Sequence, residues 1–266
     1  MIANAHNTIT KADCPVMAED VRICDSFRAK YRTVVMTVLW MVNYVPEVAF
    51  AVSFLSRFLQ NPGVKMWGAV KVLLGYLKGR SDRALVYRRT AGTTSMLLRA
   101  HLPRQQQLEL STSADASHSD NEDGTATIGY FLKLNDCVIV GKTQKLKRIT
   151  IGTNESELYG QTECGRHMLN FRYLLQELGH AQQGPTVMFC DSKGAVAVAE
   201  RRAPTHRTSH IQRRMLFIRQ LVQEEEAKLV WISTSLMEAD ILTKALPGPQ
   251  FKMIRDRLLN GLPLRE

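Results

Sequence analysis

The chain has 266 residues, 45% of them hydrophobic and 23% charged, with a net charge of +10, values ordinary for one large or two modest globular domains. Its five cysteines, Cys14, Cys24, Cys137, Cys164 and Cys190, are odd in number and scattered without a C-x-x-C pair. That pattern excludes a disulfide framework or a cysteine zinc site and implies reduced thiols in a cytoplasmic or nuclear setting.

Residues 1–26 show no clear period and are expected to form a poorly ordered lead-in. Met1-Ile-Ala-Asn-Ala-His has no charged start followed by an apolar run, so no secretory leader is expected. From Phe27 to Leu59 apolar residues recur at helical spacing around a break at Val45-Pro46. The most apolar part, Val34 to Leu59, is interrupted by Asn43, Pro46, Glu47 and Arg57, so it predicts two buried helices and no membrane span. A further helix is expected from Val64 to Leu77, stopped by Lys78-Gly79, and Leu85-Val-Tyr87 is a candidate short strand. Residues 90–106 read as a linker between a small mainly helical domain at 27–89 and a second domain at 107–266. Charge divides at nearly the same place. Residues 1–110 hold 15 Lys+Arg against 7 Asp+Glu, and residues 111–266 hold 20 against 18. A basic front half beside a nearly neutral, acid-bearing back half suits a nucleic-acid-gripping unit joined to a metal-dependent one.

The second part changes to an α/β pattern. Leu108–Ala114 and Thr125–Leu134 are predicted strands, and Leu134-Asn-Asp136 is a hairpin turn from which Cys137–Val140 returns. Asn154 is a candidate cap for a long helix whose apolar stripe, Leu158, Cys164, Met168, Phe171, Leu175 and Leu178, ends at Gly179. A strand over Thr186–Cys190, a helix over Ser192–Glu200, a basic loop (201–207), a helix near 211–225, a strand at Lys228–Ile232 and helices near 236–245 and 249–260 follow. This order predicts a mixed five-stranded sheet flanked by helices.

Four acids stand at special points of that pattern. Asp115 follows the first strand, Glu157 falls in the first turn of the long helix, Asp191 ends an apolar strand, and Asp240 falls in the first turn of a late helix. Each has an ordinary explanation: a turn residue, a capping-box Glu, a helix cap and a dipole complement, respectively. Carboxylates at strand ends and helix starts can also converge on one point, as a site for two hard divalent cations requires. The order strand Asp, helix Glu, strand Asp, helix Asp resembles that of the ribonuclease H fold.

Tyr31-Arg-Thr-Val-Val, Val45-Pro-Glu-Val-Ala-Phe-Ala-Val-Ser53, Val72-Leu-Leu-Gly-Tyr-Leu-Lys-Gly79, Asp115-Ala-Ser, Gly129-Tyr, Glu155-Ser-Glu-Leu158, Cys190-Asp-Ser, Arg207-Thr-Ser-His-Ile211 and Ala239-Asp-Ile-Leu-Thr-Lys244 resemble, in order, the C-terminal part of the Pol polyprotein of copia-type LTR retrotransposons. That part comprises the segment after the reverse transcriptase palm and the ribonuclease H domain. The resemblance implies a ribonuclease H-like α/β fold and two Mg²⁺ ions, replaceable by Mn²⁺, held by Asp115, Glu157, Asp191 and Asp240. It also implies hydrolysis of the RNA strand of an RNA–DNA hybrid, with the polymerase palm absent from this chain and no membrane partner. Location would be cytoplasmic or nuclear, or a virus-like particle for an active element. Glu155 is the lesser candidate beside Glu157. The chain departs from the pattern at Ser117-His118, at Thr153-Asn154, at Val34-Val-Met36 and at Glu47, all away from the four acids.

His210, matching a histidine of the family, is either a proton shuttle or product-release group at the rim or a residue bonded to the basic loop. His206 and His210 have an i, i+4 spacing, but no third Cys or His ligand lies nearby, so zinc is disfavoured. Lys142, Lys145, Lys147 and Arg148, with Arg207, are candidates for gripping a phosphate backbone, although an exposed basic hairpin would look the same. The rival reading is a domesticated or decaying fragment that binds nucleic acid without cutting it. An integrase- or resolvase-type nuclease is disfavoured by Glu157.

Overall fold

The computed structural model describes residues 25–87, 108–118, 121–200 and 212–260. The first described unit is helical: α1 (Asp25–Met41), a 3₁₀ turn at Pro46–Val48, α2 (Ala49–Ser56) and α3 (Val64–Lys78). Pro46 forces the predicted break because a proline inside a helix removes a hydrogen bond and clashes with the preceding turn. On α1 the buried positions Tyr31, Val35 and Val38 recur at helical spacing, and the Tyr31 hydroxyl donates to the Leu55 carbonyl at 2.8 Å, pinning α1 to α2.

The second unit runs β1 (Leu110–Ser117), β2 (Thr125–Leu134), β3 (Cys137–Ile149), α4 (Thr153–Glu177), β4 (Thr186–Cys190), α5 (Lys193–Glu200), α6 (Gln212–Gln223), β5 (Ala227–Trp231), a 3₁₀ turn (Thr234–Leu236), α7 (Asp240–Thr243) and α8 (Gly248–Asn260). The five strands form one sheet in the order β3-β2-β1-β4-β5. β1, β2 and β3 pair antiparallel, while β4 pairs parallel with β1 and with β5. This is the mixed five-stranded, helix-flanked sheet expected from the sequence. The β2–β3 turn is made by Asn135 and Asp136, both at positive φ (50° and 65°), where Asn and Asp are the most tolerant non-glycine residues.

Alternation along the strands gives the sheet two apolar faces. Leu110, Ala114, Tyr130, Leu132 and Met188 pack with Leu158, Cys164 and Met168 of α4 and Ile218 and Leu221 of α6. On the other face Phe131, Val138, Val187 and Phe189 share a core with Tyr31, Val35, Val52, Met66 and Leu73 of the N-terminal helices and Ile254 and Leu258 of α8. The front helices are therefore the second cover of the sheet.

Several expectations need correction: Asp115 lies inside β1 and not after it, and the helix near 236–245 is a 3₁₀ turn followed by the four-residue α7. Leu85-Val-Tyr87 forms no strand; the Val86 amide donates to the Leu259 carbonyl at 2.8 Å and ties an irregular segment to α8. β3 continues nine residues past Val140, as an edge strand whose outer part is too polar to show an apolar period. The long helix is capped by Gly152, so Asn154 lies inside it and Glu157 in its second turn. The expected lead-in apart from residues 25 and 26, the linker at 90–106 and the basic loop at 201–207 lie outside the described residues.

A chain trimmed to 107–266 is expected to expose Phe131, Val138, Val187 and Phe189, each worth about 1.5–3 kcal/mol when buried. It should melt well below the full chain and bind an apolar dye. Equal melting temperature and no extra dye binding would show that 107–266 folds as a unit without the front helices.

Candidate metal centre

Asp115 and Asp191 reach the same place because of sheet topology. β1 and β4 are parallel neighbours paired through Ser113 and Phe189, and both carboxylates follow that pair by two residues. Carboxyl ends of adjacent parallel strands are where open α/β sheets build their sites. α4 brings Glu157 to the same end. It crosses β1 closely at Gly160, where an added Cβ would stand 3.3 Å from the Asp115 carbonyl oxygen. The result is a trio in which carboxylate oxygens of Asp115, Glu157 and Asp191 all lie within 4.8 Å of one another.

Asp240, the first residue of α7, is the fourth member and the outer one. Lys244 links it to the trio: its Nζ is 2.8 Å from Asp240 Oδ1 and 3.8 Å from Asp115 Oδ2. α7 is seated across three strands. Asp115, Gly129 and Thr143 are register partners on β1, β2 and β3. The Thr243 hydroxyl donates to Asp115 Oδ2, and the Thr143 hydroxyl donates to the Leu242 carbonyl at 2.8 Å. Between them Gly129 leaves the room α7 needs, since a Cβ there would lie 2.4 Å from Leu242 Cβ.

Other groups fix the remaining acids. The Thr234 hydroxyl donates to Asp191 Oδ2 at 2.9 Å and the Trp231 indole donates to the Asp191 carbonyl at 3.0 Å. The Ala116 amide donates to Glu157 Oε1 at 3.4 Å, while Glu157 Oε2 is buried with no hydrogen-bond partner among the described residues. Thr150, Ser156 and His118 form a hydroxyl–imidazole cluster joining the end of β1 to the start of α4, with His118 Nδ1 at 3.2 Å from Thr150 and 3.1 Å from Ser156. Glu155 instead accepts from the Ile151 amide at 2.8 Å, a helix-start contact that keeps it out of the trio.

Burial, then the Asp115 and Asp191 charges, holds the Glu157 carboxyl well above its usual range. Burial, then Asp115, raises Asp191. The same two causes push Asp240 to about 7, against the pull of Lys244. Burial works against the Lys244 ammonium, yet Asp115, Asp240 and Asp191 together raise its pKa. An all-oxygen donor set, crowded enough to resist ionisation and containing an orphaned buried oxygen on Glu157, fits hard divalent cations.

Sequence reasoning named the four acids and gave no role to the groups that hold them: Lys244, Thr243, Thr234 and Gly129. Gly129, Thr243 and Lys244 stand in family-like stretches without a stated role, and Lys244 also has an i, i+4 spacing from Asp240, which reads equally well as a surface pair. The candidate phosphate-gripping residues Lys142, Lys145, Lys147 and Arg148 all lie on the edge strand β3. Lys145 is held by Asp123 at 2.5 Å, whereas Lys142, Lys147 and Arg148 are exposed. Arg207 and His210 lie outside the described residues.

The chain is 31% identical over 252 residues to the Retrovirus-related Pol polyprotein from transposon TNT 1-94 of Nicotiana tabacum, a match covering 94% of this chain and 18% of that protein. A second, from transposon RE2 of Arabidopsis thaliana, is 28% identical over 224 residues, covering 84% of this chain and 14% of the other. The chain is homologous to copia-type retrotransposon Pol polyproteins. It spans less than a fifth of the length of these curated relatives. No protein-family model matches it. Among solved structures, a ribonuclease H1 from Halobacterium salinarum overlays at TM-score 0.40 and 15% identity, covering 51% of this chain and 94% of that one. The LC11 ribonuclease H1 in complex with an RNA/DNA hybrid overlays at 0.40 and 13% identity, over 51% and 94%. The sheet order and register above, not these overlays, define the fold of the chain. No helix among the described residues is long and apolar enough to cross a membrane.

Two outcomes are expected of this site. A carboxyl whose folded pKa lies above its unfolded value binds its proton more tightly in the native state, so its contribution is present at low pH and is lost as pH rises. With Asp240 raised from 3.8 to about 7 and Glu157 and Asp191 raised with it, the metal-free chain should lose stability between pH 4 and about 7. Thermal melts in chelator should show that fall, Asp240→Asn should flatten it, and millimolar Mg²⁺ should restore stability more at pH 7.5 than at pH 5. A pH-independent melting temperature over this range would remove the cluster as its source. Separately, Gly129→Ala should cost about 1–3 kcal/mol by displacing α7, read as a lower denaturation midpoint at unchanged m-value; an unchanged midpoint would show that α7 does not depend on this close approach.

Proposed function

We propose that this chain is the ribonuclease H part of a copia-type retrotransposon Pol polyprotein and hydrolyses the RNA strand of RNA–DNA hybrids. The observation that carries this reading is the convergence of Asp115, Glu157 and Asp191 within 4.8 Å, with Asp240 beside them. Homology to Pol polyproteins and the ribonuclease H-like sheet support it. The resemblance read from the sequence points to the same reaction.

Asp115, Glu157, Asp191 and Asp240 would hold two divalent cations, Mg²⁺ or Mn²⁺, which in such a site make a bound water nucleophilic near neutral pH and stabilise the leaving 3′ oxygen. The chain's own groups prepare the site. Thr243 orients the Asp115 carboxylate and Thr234 that of Asp191, so the donor oxygens are set before substrate arrives. Lys244 balances the charge of Asp240 and Asp115 and has N–H groups to offer a phosphate oxygen. RNA would be chosen through its 2′-hydroxyls across the wide minor groove. Lys142, Lys145, Lys147, Arg148 and Arg207 would hold the DNA strand's phosphates.

A second reading has one observation in its favour. Lys244 already neutralises part of the acid cluster, as it would in a nucleic-acid binder that does not cut. Incubation of the purified chain with a labelled hybrid and Mg²⁺ or Mn²⁺ separates the two. Cleavage is expected, and Asp191→Asn should abolish it, because the amide loses the charge while keeping the shape. No cleavage by the native chain with either cation, or near-native cleavage by the variant, would overturn the reaction.

Joint replacement of Lys142, Lys147 and Arg148 by Ala should weaken hybrid binding alike across sequences. It should also lower the slope of log K against log salt by roughly 0.9 for each phosphate that is no longer neutralised. An unchanged slope would remove β3 from the binding track.

A further inference from the structure

A cleft of about 640 Å³ runs between the front helices and the free edge of β3. Thr143, in register with Asp115 across Gly129, is one of its wall residues, so the cleft opens two strand spacings, roughly 10 Å, from Asp115. Val140 to Lys145 line it without a gap. Side chains of a strand alternate between its faces, so an unbroken run means that the cleft follows the strand's edge, where unpaired backbone groups also lie.

The chemistry of the walls is one-sided. Arg57, Lys142 and Lys145 bring positive charge, Ser53 and Ser56 bring hydroxyls, Gln144 brings an amide, and among the described residues no carboxylate lines the cleft. Lys145 pairs with Asp123, Arg57 reaches the neutral side chains of Asn121 and Thr127, and Lys142 is exposed. One acid against three cations leaves the cleft positive. Two aromatic rings stand at its rim. Trp40 and Tyr44, 70% and 63% exposed, meet at 5.8 Å, and each is next in sequence to a wall residue, Leu39 and Asn43.

A positive groove beside exposed aromatic rings is the combination that holds single-stranded nucleic acid: the groove tracks the backbone and the rings stack on bases of any sequence. A duplex keeps its bases in its own stack, so the rings favour an unpaired strand. We infer that the cleft between α1–α2 and β3 is a binding site for single-stranded nucleic acid, with Lys142, Lys145 and Arg57 along the backbone and Trp40 and Tyr44 against the bases. On the hybrid reading above, a strand that leaves the duplex along β3 runs into this cleft, but the site itself does not depend on hydrolysis.

Fluorescence anisotropy of a labelled oligothymidylate with the full chain in chelator should show saturable binding that weakens as salt rises. Trp40→Ala, at an exposed position, should weaken it about fivefold or more, the effect of losing one base stack, and Trp40→Phe should recover most of the loss. A blunt DNA duplex should not distinguish Trp40→Ala from the native chain. Gln144→Glu puts a carboxylate in the cleft and should weaken strand binding several-fold, whereas Gln176→Glu, the same charge change on the exposed last turn of α4, should leave it unchanged. No saturable binding, binding untouched by Trp40→Ala, an equal loss for the blunt duplex, or equal effects of the two glutamates would overturn the inference. So would a changed oligomeric state in Trp40→Ala with strand binding intact, which would mark the aromatic pair as a protein interface. Because the assay runs in chelator, where a metal-dependent site cannot cut, failure of hybrid cleavage and failure of strand binding are separate results.

Discussion

Like charges brought together out of water set the terms for this structure. Two carboxylates 4 Å apart repel by about 1 kcal/mol in bulk water and about 4 kcal/mol at the effective dielectric of a protein surface. Three of them lie within 4.8 Å of one another here and a fourth is joined through a lysine. Nothing in folding alone rewards that arrangement. It survives because Thr243, Thr234 and the Ala116 amide each donate to one of the acids, and because Lys244 adds a positive charge where a single one has most effect. What repulsion remains shows as carboxyl pKa values raised at Glu157, Asp191 and Asp240. A cation would give the same relief without the proton, which makes the cluster a candidate metal centre.

α7 is the element that makes the arrangement geometrically possible. With four residues, Asp240–Thr243, it is far too short to hold itself together. Its position comes from the row Asp115, Gly129, Thr143 beneath it and from a buried pair between Lys133 of β2 and Glu238 just before it. Removing one partner of a buried ion pair leaves an uncompensated charge and typically costs about 3–5 kcal/mol. The helix that presents Asp240 and Lys244 is thus fixed by contacts from three strands, and the site inherits the rigidity of the sheet.

Much of this was legible in the sequence where one periodicity governed both local and tertiary structure. β2 and β4 appeared with the residues they have, because both are buried apolar runs bounded by turn residues. The four acids were legible through their order along an α/β pattern. What failed to show did so for physical reasons. The outer half of β3 is an edge whose side chains alternate between a covered face and water, so its composition is that of a loop. Leu85-Val-Tyr87 had the composition of a strand but meets no strand in the fold, only α8. Asn154 looked like a cap, yet Gly152 takes that place and the Ser192 hydroxyl donates to the Asn154 side chain at 3.2 Å, linking α4 to the turn after Asp191. The reason for Gly129 could not be read from its neighbours, since it is the Leu242 side chain, distant in sequence.

The division of the chain by composition and its division by physics also differ. A linker-like stretch and a change of charge separate a helical front from an α/β back, but the packing runs across that boundary. The same apolar cluster holds Val35 and Leu73 from the front and Phe131 and Val187 from the sheet. Arg57, just after α2, reaches the β1–β2 connection, bonding to the Asn121 side chain and lying 3.4 Å from the Thr127 hydroxyl. That places a front-helix guanidinium against the loop that follows Asp115's strand. A sheet that needed only to fold could cover this face with any apolar helix; one that holds its β1–β2 loop with an arginine from the preceding segment couples the site's end of the sheet to the front helices, and the two parts of the chain then share one structural fate.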